Sequence, residues 1–472
     1  MKPKSLQQFR AARLLFVFTI ACTWSACGRP DPIDEIMKSE IAKQRIPGAA
    51  VAVLRGGKMV KAAAYGLADV EAGQPARVDT IFGIQSLTKQ FTAAAVLILV
   101  DEGKLHLDDF ITQHLKGCPP TWQKITVRHL LGQTSGLRDF INEPTLDLQS
   151  DVTDEQLMTS LATQPLKFEP GSAWDYSNSN YLLLGIVIGE ASGRWYGDFL
   201  AERIFQPLGM SHTSVLRTRE TIPGRAQGYT RENNVVRRSR AVVAIPVISY
   251  AGGGVQSTVT DLAKWDAALY TEQILKRGAL AQLWTPVRLN NGSTHGYGFG
   301  WDIGEIAQHR RLSHSGKWLG FAAQIDRFVD DQLTVIVLTN LAESAPPRIT
   351  RAIAGTIIPA LAAPVYKPIT DQEPAVTVRF LDVVRRTREG RLQADEFTAP
   401  IWEYLAPRID QLKHDFGSFG AIQSLTLVER TESGGDRSYR YQARFSRTTM
   451  IFWFVLTKED RISVMMPEAV NQ

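Results

Sequence analysis

Two β-hairpin signals stand at opposite ends of a long stretch of this chain, and they constrain its fold more than any other feature. Ala49 to Arg55 and Lys58 to Tyr65 are strand-like runs separated only by Gly56-Gly57, a pair suited to a tight turn. Phe321 to Phe328 and Leu333 to Leu338 flank Val329-Asp330-Asp331-Gln332 in the same way. Between the hairpins lie helical stretches, notably Gln90 to Glu102, which is rich in Ala, Leu, Ile and Val and stopped by Gly103. Strands at both ends with helices between them predict one antiparallel sheet built from both ends of a domain, flanked by helices and carrying an all-helical insertion. That is an α+β fold, an α/β sandwich, and not a βαβ repeat.

Beyond this region the pattern changes. Pro359, Pro364, Pro368 and Pro374 mark residues 359–375 as a linker. Residues 376–415 show helical spacing, with Phe380, Val383 and Val384, then Trp402, Leu405, Ile409 and Leu412. From about residue 421 the period becomes two: Tyr439, Tyr441, Ala443 and Phe445 alternate with Arg440, Gln442 and Arg444, after a turn at Gly434-Gly435. The expectation is a main domain over 28–358 and a small α+β domain over 376–472. A hydrophobic fraction of 44% and a charged fraction of 21% over 472 residues exclude disorder, collagen-like repeats and coiled coil.

Residues 1–27 read as an export signal. Lys2, Lys4, Arg10 and Arg13 precede the apolar run from Leu14 to Ala21, which is too short to span a bilayer as a helix. Trp24-Ser25-Ala26-Cys27-Gly28 resembles a bacterial lipoprotein box, although Trp24 stands where Leu is preferred. Two outcomes stay open, simple cleavage or lipidation of Cys27, and either implies the periplasm or cell envelope. A membrane would be met only through that lipid anchor. Removing the four basic leader residues from the net charge of +5 leaves +1, so no nucleic-acid partner is expected. Arg231 to Arg240 reads as a solvated surface loop. Three cysteines make no disulfide framework. The eight histidines lack His-Glu-x-x-His spacing and there is no Cys-x-x-Cys, so neither a metal nor another cofactor is expected. Gly252-Gly253-Gly254 has no Gly-Lys-Ser/Thr after it and reads as a tight turn rather than a phosphate cradle.

Three dispersed motifs bear chemistry. In Phe82-Gly83-Ile84-Gln85-Ser86-Leu87-Thr88-Lys89, Ser86 and Lys89 are three apart at a helix start and share one face. A serine hydroxyl is a poor nucleophile unless a partner accepts its proton, and a lysine can do so only where burial or neighbouring charge holds part of it neutral. Tyr176-Ser177-Asn178 follows the turn-rich segment from Glu169 to Asp175, where a phenol and an amide can be aimed into a cleft. His314-Ser315-Gly316-Lys317 precedes a strand signal, and Gly316 would let a substrate lie close to the backbone.

In this order and with these neighbours the set resembles the serine β-lactamase and penicillin-binding-protein family, in particular its class C-like branch with DD-peptidase and carboxylesterase members. The resemblance extends over roughly residues 32–345. It includes Phe82 to Asp109, His129 to Leu137, Phe168 to Gly185, Gly252 to Thr258, Tyr297 to Trp301 and Val337 to Asn340. It implies Ser86 as the nucleophile that becomes acylated, and Lys89 as proton acceptor or as the cation that lowers the pKa of Tyr176. Tyr176 would shuttle the proton, and Asn178 would orient Lys89 and the substrate amide. The N–H groups of Ser86 and Lys317 would form the oxyanion hole, and Ser315 would bind a substrate carboxylate. The chain departs from the pattern at His314, where most β-lactamases carry Lys; a histidine offers a weaker, pH-dependent anchor. Gln133 stands where the family often has His. The implied function is a serine hydrolase that cleaves an ester or amide bond of a small-molecule or peptide substrate, of esterase or D-amino-acid-peptidase type. A class C-type β-lactamase and a non-catalytic penicillin-binding sensor are the alternatives. The C-terminal domain suggests a covering or protein-contact role.

Overall fold

The computed structural model describes residues 31–142, 153–217, 222–240 and 250–468; the expected leader at 1–27 and Cys27 lie outside the described residues. Its centre is a seven-stranded antiparallel sheet. In spatial order the strands are Asp302–Ile306, His309–Trp318, Phe321–Phe328, Leu333–Thr339, Gly48–Arg55, Lys58–Asp69 and Gln74–Pro75. The two predicted hairpins are therefore joined into one sheet, with Val51 opposite Val337 on one side and Ala63 on the other.

Alternation along the two central strands explains their near-continuous apolar sequence. Val51, Val53, Val335 and Val337 face a core that includes Met37 of the helix Pro32–Gln44 and Ile349 and Ile353 of the helix Pro346–Ile357. Ala50, Ala52, Leu54, Ile336 and Leu338 face the opposite, larger core. A strand covered on both faces has no polar side to show.

The larger core contains the helix Thr88–Asp101, whose residues from Thr88 to Leu99 are all buried, and the helix Asn178–Ser192 packed against it. The first helix starts two residues before the expected Gln90, which places Lys89 in its first turn. The insert between the sheet halves is helical in its bulk, but it departs from the all-helical expectation. Phe82–Gly83, Val255–Ser257 and Ser214–Val215 form a small antiparallel sheet. Arg231 to Arg240 is not a plain loop either: Tyr229–Glu232 and Val235–Arg238 pair as a hairpin. Asn233 and Asn234, at φ 48° and 64°, supply the double left-handed turn that such a pair requires, and asparagine tolerates it.

Residues 374–468 hold the helices Pro374–Glu389, Ala399–Leu405 and Ile409–Ser418, then a four-stranded antiparallel meander of Ile422–Ser433, Asp436–Phe445, Thr449–Leu456 and Ile462–Glu468. Phe380, Val383, Val384, Tyr441, Phe452 and Phe454 share a core of their own, with the Phe380 and Phe454 rings stacked at 4.0 Å. Among the described residues no helix is long and apolar enough to cross a membrane.

Candidate active site

Ser86 sits in a single turn, Gln85–Leu87, between the short strand Phe82–Gly83 and the helix Thr88–Asp101. The chain reverses there through Gln85, which is buried and has φ 52°, a conformation that a non-glycine residue adopts only at some cost. The reversal leaves Ser86 half-buried at the head of the helix, within one turn of Lys89.

Lys89 is fully buried. Its Nζ lies 3.1 Å from Ser86 Oγ, 2.9 Å from Asn178 Oδ1 and 2.8 Å from the Gly252 carbonyl oxygen. Burial brings its pKa down to about 7, and the Asp139 carboxylate opposes that fall. Stoichiometry then assigns the atoms. A neutral amine has two N–H bonds and one lone pair. Asn178 Oδ1 and the Gly252 carbonyl can only accept, so they take both N–H bonds. The lone pair is left for the Ser86 hydroxyl. The Tyr176 and Tyr181 rings close the pocket, with Nζ 4.9 Å and 5.4 Å from their centroids.

The helix Asn178–Ser192 begins with Asn178, so Tyr176 precedes it on the entering segment. That segment is held by Gln133: its backbone carbonyl accepts from the Asp175 N–H, and its Oε1 accepts from Ser177 N–H at 3.0 Å and from the Asn180 amide. The Asn178 Nδ2 donates to Asp139 Oδ2 at 2.9 Å, which settles the rotamer of the amide and turns Oδ1 to Lys89. Burial pushes the Tyr176 phenol up, with Asp302 and Asp139 adding to the effect and an interaction with Ser86 opposing it. Tyr176 is thus held as a neutral phenol. Held near pKa 7, Lys89 is only partly charged at neutral pH, which makes it a weaker cation for lowering the pKa of Tyr176 and a better proton acceptor.

The third motif lies within the strand His309–Trp318, just before the expected strand Phe321–Phe328. His314 is buried, and both ring nitrogens are engaged: Nδ1 is 2.7 Å from the Ser315 carbonyl oxygen and Nε2 is 3.2 Å from the Tyr297 hydroxyl. A carbonyl can only accept, so Nδ1 carries the proton and Nε2 accepts from Tyr297. Burial first, and the nearby Lys89, push its pKa down to about 3. This corrects the expectation of a partly charged, pH-dependent anchor: at neutral pH His314 is an uncharged ring locked in one tautomer.

Gly316 also serves a purpose other than the one expected. A β-carbon there would stand 2.4 Å from the Ile84 carbonyl oxygen and 3.0 Å from Ser86 N. The glycine makes room for the backbone of the Ser86 turn. Ser315 and Lys317 are exposed, and by strand alternation their side chains project from the face opposite His314. The Lys317 N–H is well directed, however. Leu319 and Gly320, at φ 50° and 87°, form a two-residue turn closed by the pair Trp318–Phe321. Closure of such a turn is a hydrogen-bonded pair, so the next pair, Lys317–Ala322, is not bonded, and the Lys317 N–H points out of the sheet edge.

Ser86, Lys89, Tyr176, Asn178 and His314 therefore converge from elements far apart in the chain. Asp139, Gly252 and Tyr297 join them without having been singled out as site residues; Gly252 had drawn notice as a turn, and Gly252 and Tyr297 as members of the family-like blocks. Among the described residues no group of three or more His, Cys, Asp or Glu is placed to hold a metal ion.

A hydroxyl set against a buried amine, a neutral phenol and free backbone donors defines a serine acyl-transfer site. The Beta-lactamase family model matches residues 33–358, and the chain belongs to that family of serine hydrolases. Penicillin-binding protein 4* of Bacillus subtilis (strain 168) is 33% identical over 309 residues, which cover 62% of this chain and 68% of that protein. The D-aminopeptidase of Brucella anthropi is 30% identical over 302 residues, covering 62% of this chain but only 56% of that protein. Among solved structures, the D-amino acid amidase from Ochrobactrum anthropi SV3 complexed with L-phenylalanine superposes with a TM-score of 0.59 at 27% identity, over 66% of this chain and 92% of that one. The octameric penicillin-binding protein homologue from Pyrococcus abyssi shares the fold at a TM-score of 0.60 and 20% identity, over 90% of this chain and 96% of that one.

Proposed function

We propose that the protein hydrolyses an ester or a D-amino-acid amide or peptide through an acyl-Ser86 intermediate. Ser86 Oγ attacks the substrate carbonyl carbon while its proton passes to Lys89 Nζ. The N–H groups of Ser86 and Lys317 hold the resulting oxyanion; donors of this kind are worth about 3–4 kcal/mol each. Collapse of the tetrahedral intermediate breaks the bond to the leaving alcohol or amine, which takes up the proton from Lys89 by way of the Tyr176 hydroxyl. Water then attacks the acyl group by the reverse route and frees Ser86. The position of Lys89 carries this reading: two acceptor-only partners consume its N–H bonds and leave its lone pair to Ser86.

The substrate preference follows from His314. An uncharged ring in place of a lysine gives a substrate carboxylate no fixed cation, so esters and D-amino-acid amides rank above β-lactams. The D-aminopeptidase and D-amino acid amidase relatives support that order. Residues 376–472 are assigned as a separate covering domain after a linker at 359–375. The leader at 1–27, with Cys27 as the lipidation point, would place the enzyme in the periplasm or on the cell envelope.

The test is covalent labelling with a fluorophosphonate, followed by turnover of p-nitrophenyl esters, D-alanine amide, D-Ala-D-Ala peptides and nitrocefin. Labelling should vanish in Ser86→Ala, and esters or D-amino-acid amides should outpace nitrocefin. Undiminished labelling of that variant overturns the mechanism; nitrocefin turnover near the diffusion limit overturns the substrate order.

A further inference from the structure

Among the described residues Asp139 is the one carboxylate whose charge acts on Lys89, and the Asn178 side chain bonds to both. It lies at the end of the Ser135-Gly136-Leu137-Arg138 segment, just before the turn Phe140–Asn142, and it is partly buried. Its two oxygens are divided between two donors. Oδ1 accepts from the Ile141 N–H at 3.2 Å, which anchors the carboxylate to its own turn. Oδ2 accepts from Asn178 Nδ2 at 2.9 Å. The segment around it is stitched to the start of the Asn178 helix: Phe140 N–H donates to Ser179 Oγ at 2.9 Å, and Ser179 Oγ donates to the Arg138 carbonyl at 2.6 Å.

An asparagine amide has two ends of similar shape and opposite polarity. Without a partner on one end it can turn over and present Nδ2 to Lys89. Nδ2 would then compete with the Ser86 hydroxyl for the lone pair of the amine. A carboxylate on the far side prevents this, because it can bind only the NH2 end.

We propose that Asp139 is a positioning residue for acyl transfer, whose carboxylate locks the Asn178 amide so that Lys89 must donate to it and keeps its lone pair on Ser86. This rests on the assignment of Ser86 and Lys89 as nucleophile and proton acceptor. The charge of Asp139 has a second consequence, since it favours the protonated form of Lys89. The other polar groups packed around the amine are Tyr176 and Tyr181 from the entering segment and its helix, the Gly252 carbonyl from the glycine turn, and His314 from the strand His309–Trp318. Tyr297 and Asp302 stand behind Tyr176 and His314; Asp302 raises the proton affinity of Tyr176 and Tyr297. None of these supplies a negative charge directed at Lys89.

Two readouts separate orientation from charge. Asp139→Asn is uncharged and has one oxygen for two donors, Ile141 N–H and Asn178 Nδ2, so it no longer compels the Asn178 amide to one orientation; Asp139→Leu has no acceptor at all. The measurement is the second-order rate of fluorophosphonate acylation from pH 5 to 9, with the melting temperature of each variant and Ser86→Ala as control. Asp139→Asn should move the acid limb of the profile down by about 0.5–1 pH unit and lower its plateau several-fold. Asp139→Leu should lower the plateau by roughly 10- to 100-fold, the size of effect seen when the outer partner of an oriented functional side chain is lost. A wild-type plateau or an unmoved acid limb in Asp139→Asn, whatever happens to its melting temperature, overturns the proposal, and that variant decides the matter if Asp139→Leu fails to fold. Labelling that persists in Ser86→Ala instead removes the reading of the site on which the proposal rests.

Discussion

A β-carbon on Gly316 would meet the Ile84 carbonyl oxygen at 2.4 Å, so the third strand of the site and the turn bearing Ser86 are in backbone contact. That contact fixes the distance between the Lys317 N–H and the Ser86 hydroxyl without any side chain. Gly316→Ala should force the two segments apart. We expect a stability loss of about 1–3 kcal/mol, as for other overpacked sites, and a larger fall in kcat/KM than the drop in folded fraction explains. Thermal unfolding and acylation rates on the same preparation separate the two.

The pH profile reports on Lys89. Its folded pKa is depressed from 10.5 to about 7, so below neutrality the amine is charged and has no lone pair to offer. Acylation should fall about tenfold per unit as pH drops below 7 and level off above it. The linkage has the matching sign. Between pH 7 and 10.5 the unfolded chain binds the proton that the folded chain has released, so this group's contribution to stability rises with pH across that window. Melting temperatures of wild type and Lys89→Met should therefore differ by an amount that changes between pH 7 and 10.

His314 should not titrate where enzymes are usually assayed. With its pKa pushed down to about 3, the ring stays neutral with the proton on Nδ1 from pH 5 to 8. Long-range 1H–15N correlation spectra of the ring test this directly. A titration midpoint near 6.5 would show instead that the Tyr297 and Ser315 contacts do not hold it.

Gln133 should matter for stability before it matters for chemistry. Gln133→Ala leaves the Ser177 N–H and the Asn180 amide without their acceptor in a buried place. The expected cost is about 1–3 kcal/mol in chemical denaturation.

Two cores with no residue in common predict that the C-terminal unit is separable. A chain ending at residue 366 should fold and label at Ser86. Loss of folding would mean that the two parts stabilise each other, and an altered substrate range would identify residues 376–472 as a lid.

Much of this was written locally in the sequence. Gly56-Gly57 marked the first hairpin because such a pair enters the double left-handed turn easily, and the alternation of Tyr439, Tyr441, Ala443 and Phe445 with polar residues marked a strand by its period alone. Ser86 and Lys89 were legible because one helical turn joins them. What the sequence left hidden depends on long-range contact. Asp139 reaches Asn178 across 39 positions, and the Gly252 carbonyl reaches Lys89 across 163. No local pattern marks either partnership. His314 was misjudged for a related reason. Its identity suggested a pH-sensitive charge, but its protonation is set by burial and by Tyr297, which lies 17 positions earlier in the chain. The part Gly316 plays beside the Ser86 turn was hidden because that turn lies more than two hundred residues earlier.

The most direct test of the account is peptide mapping of the fluorophosphonate adduct, with labelling rates taken at pH 6 and pH 8. The account predicts one adduct, on Ser86, formed several-fold faster at pH 8 and absent in Lys89→Met at both values. An adduct on another residue, or a Lys89→Met protein labelled as fast as wild type, would contradict it.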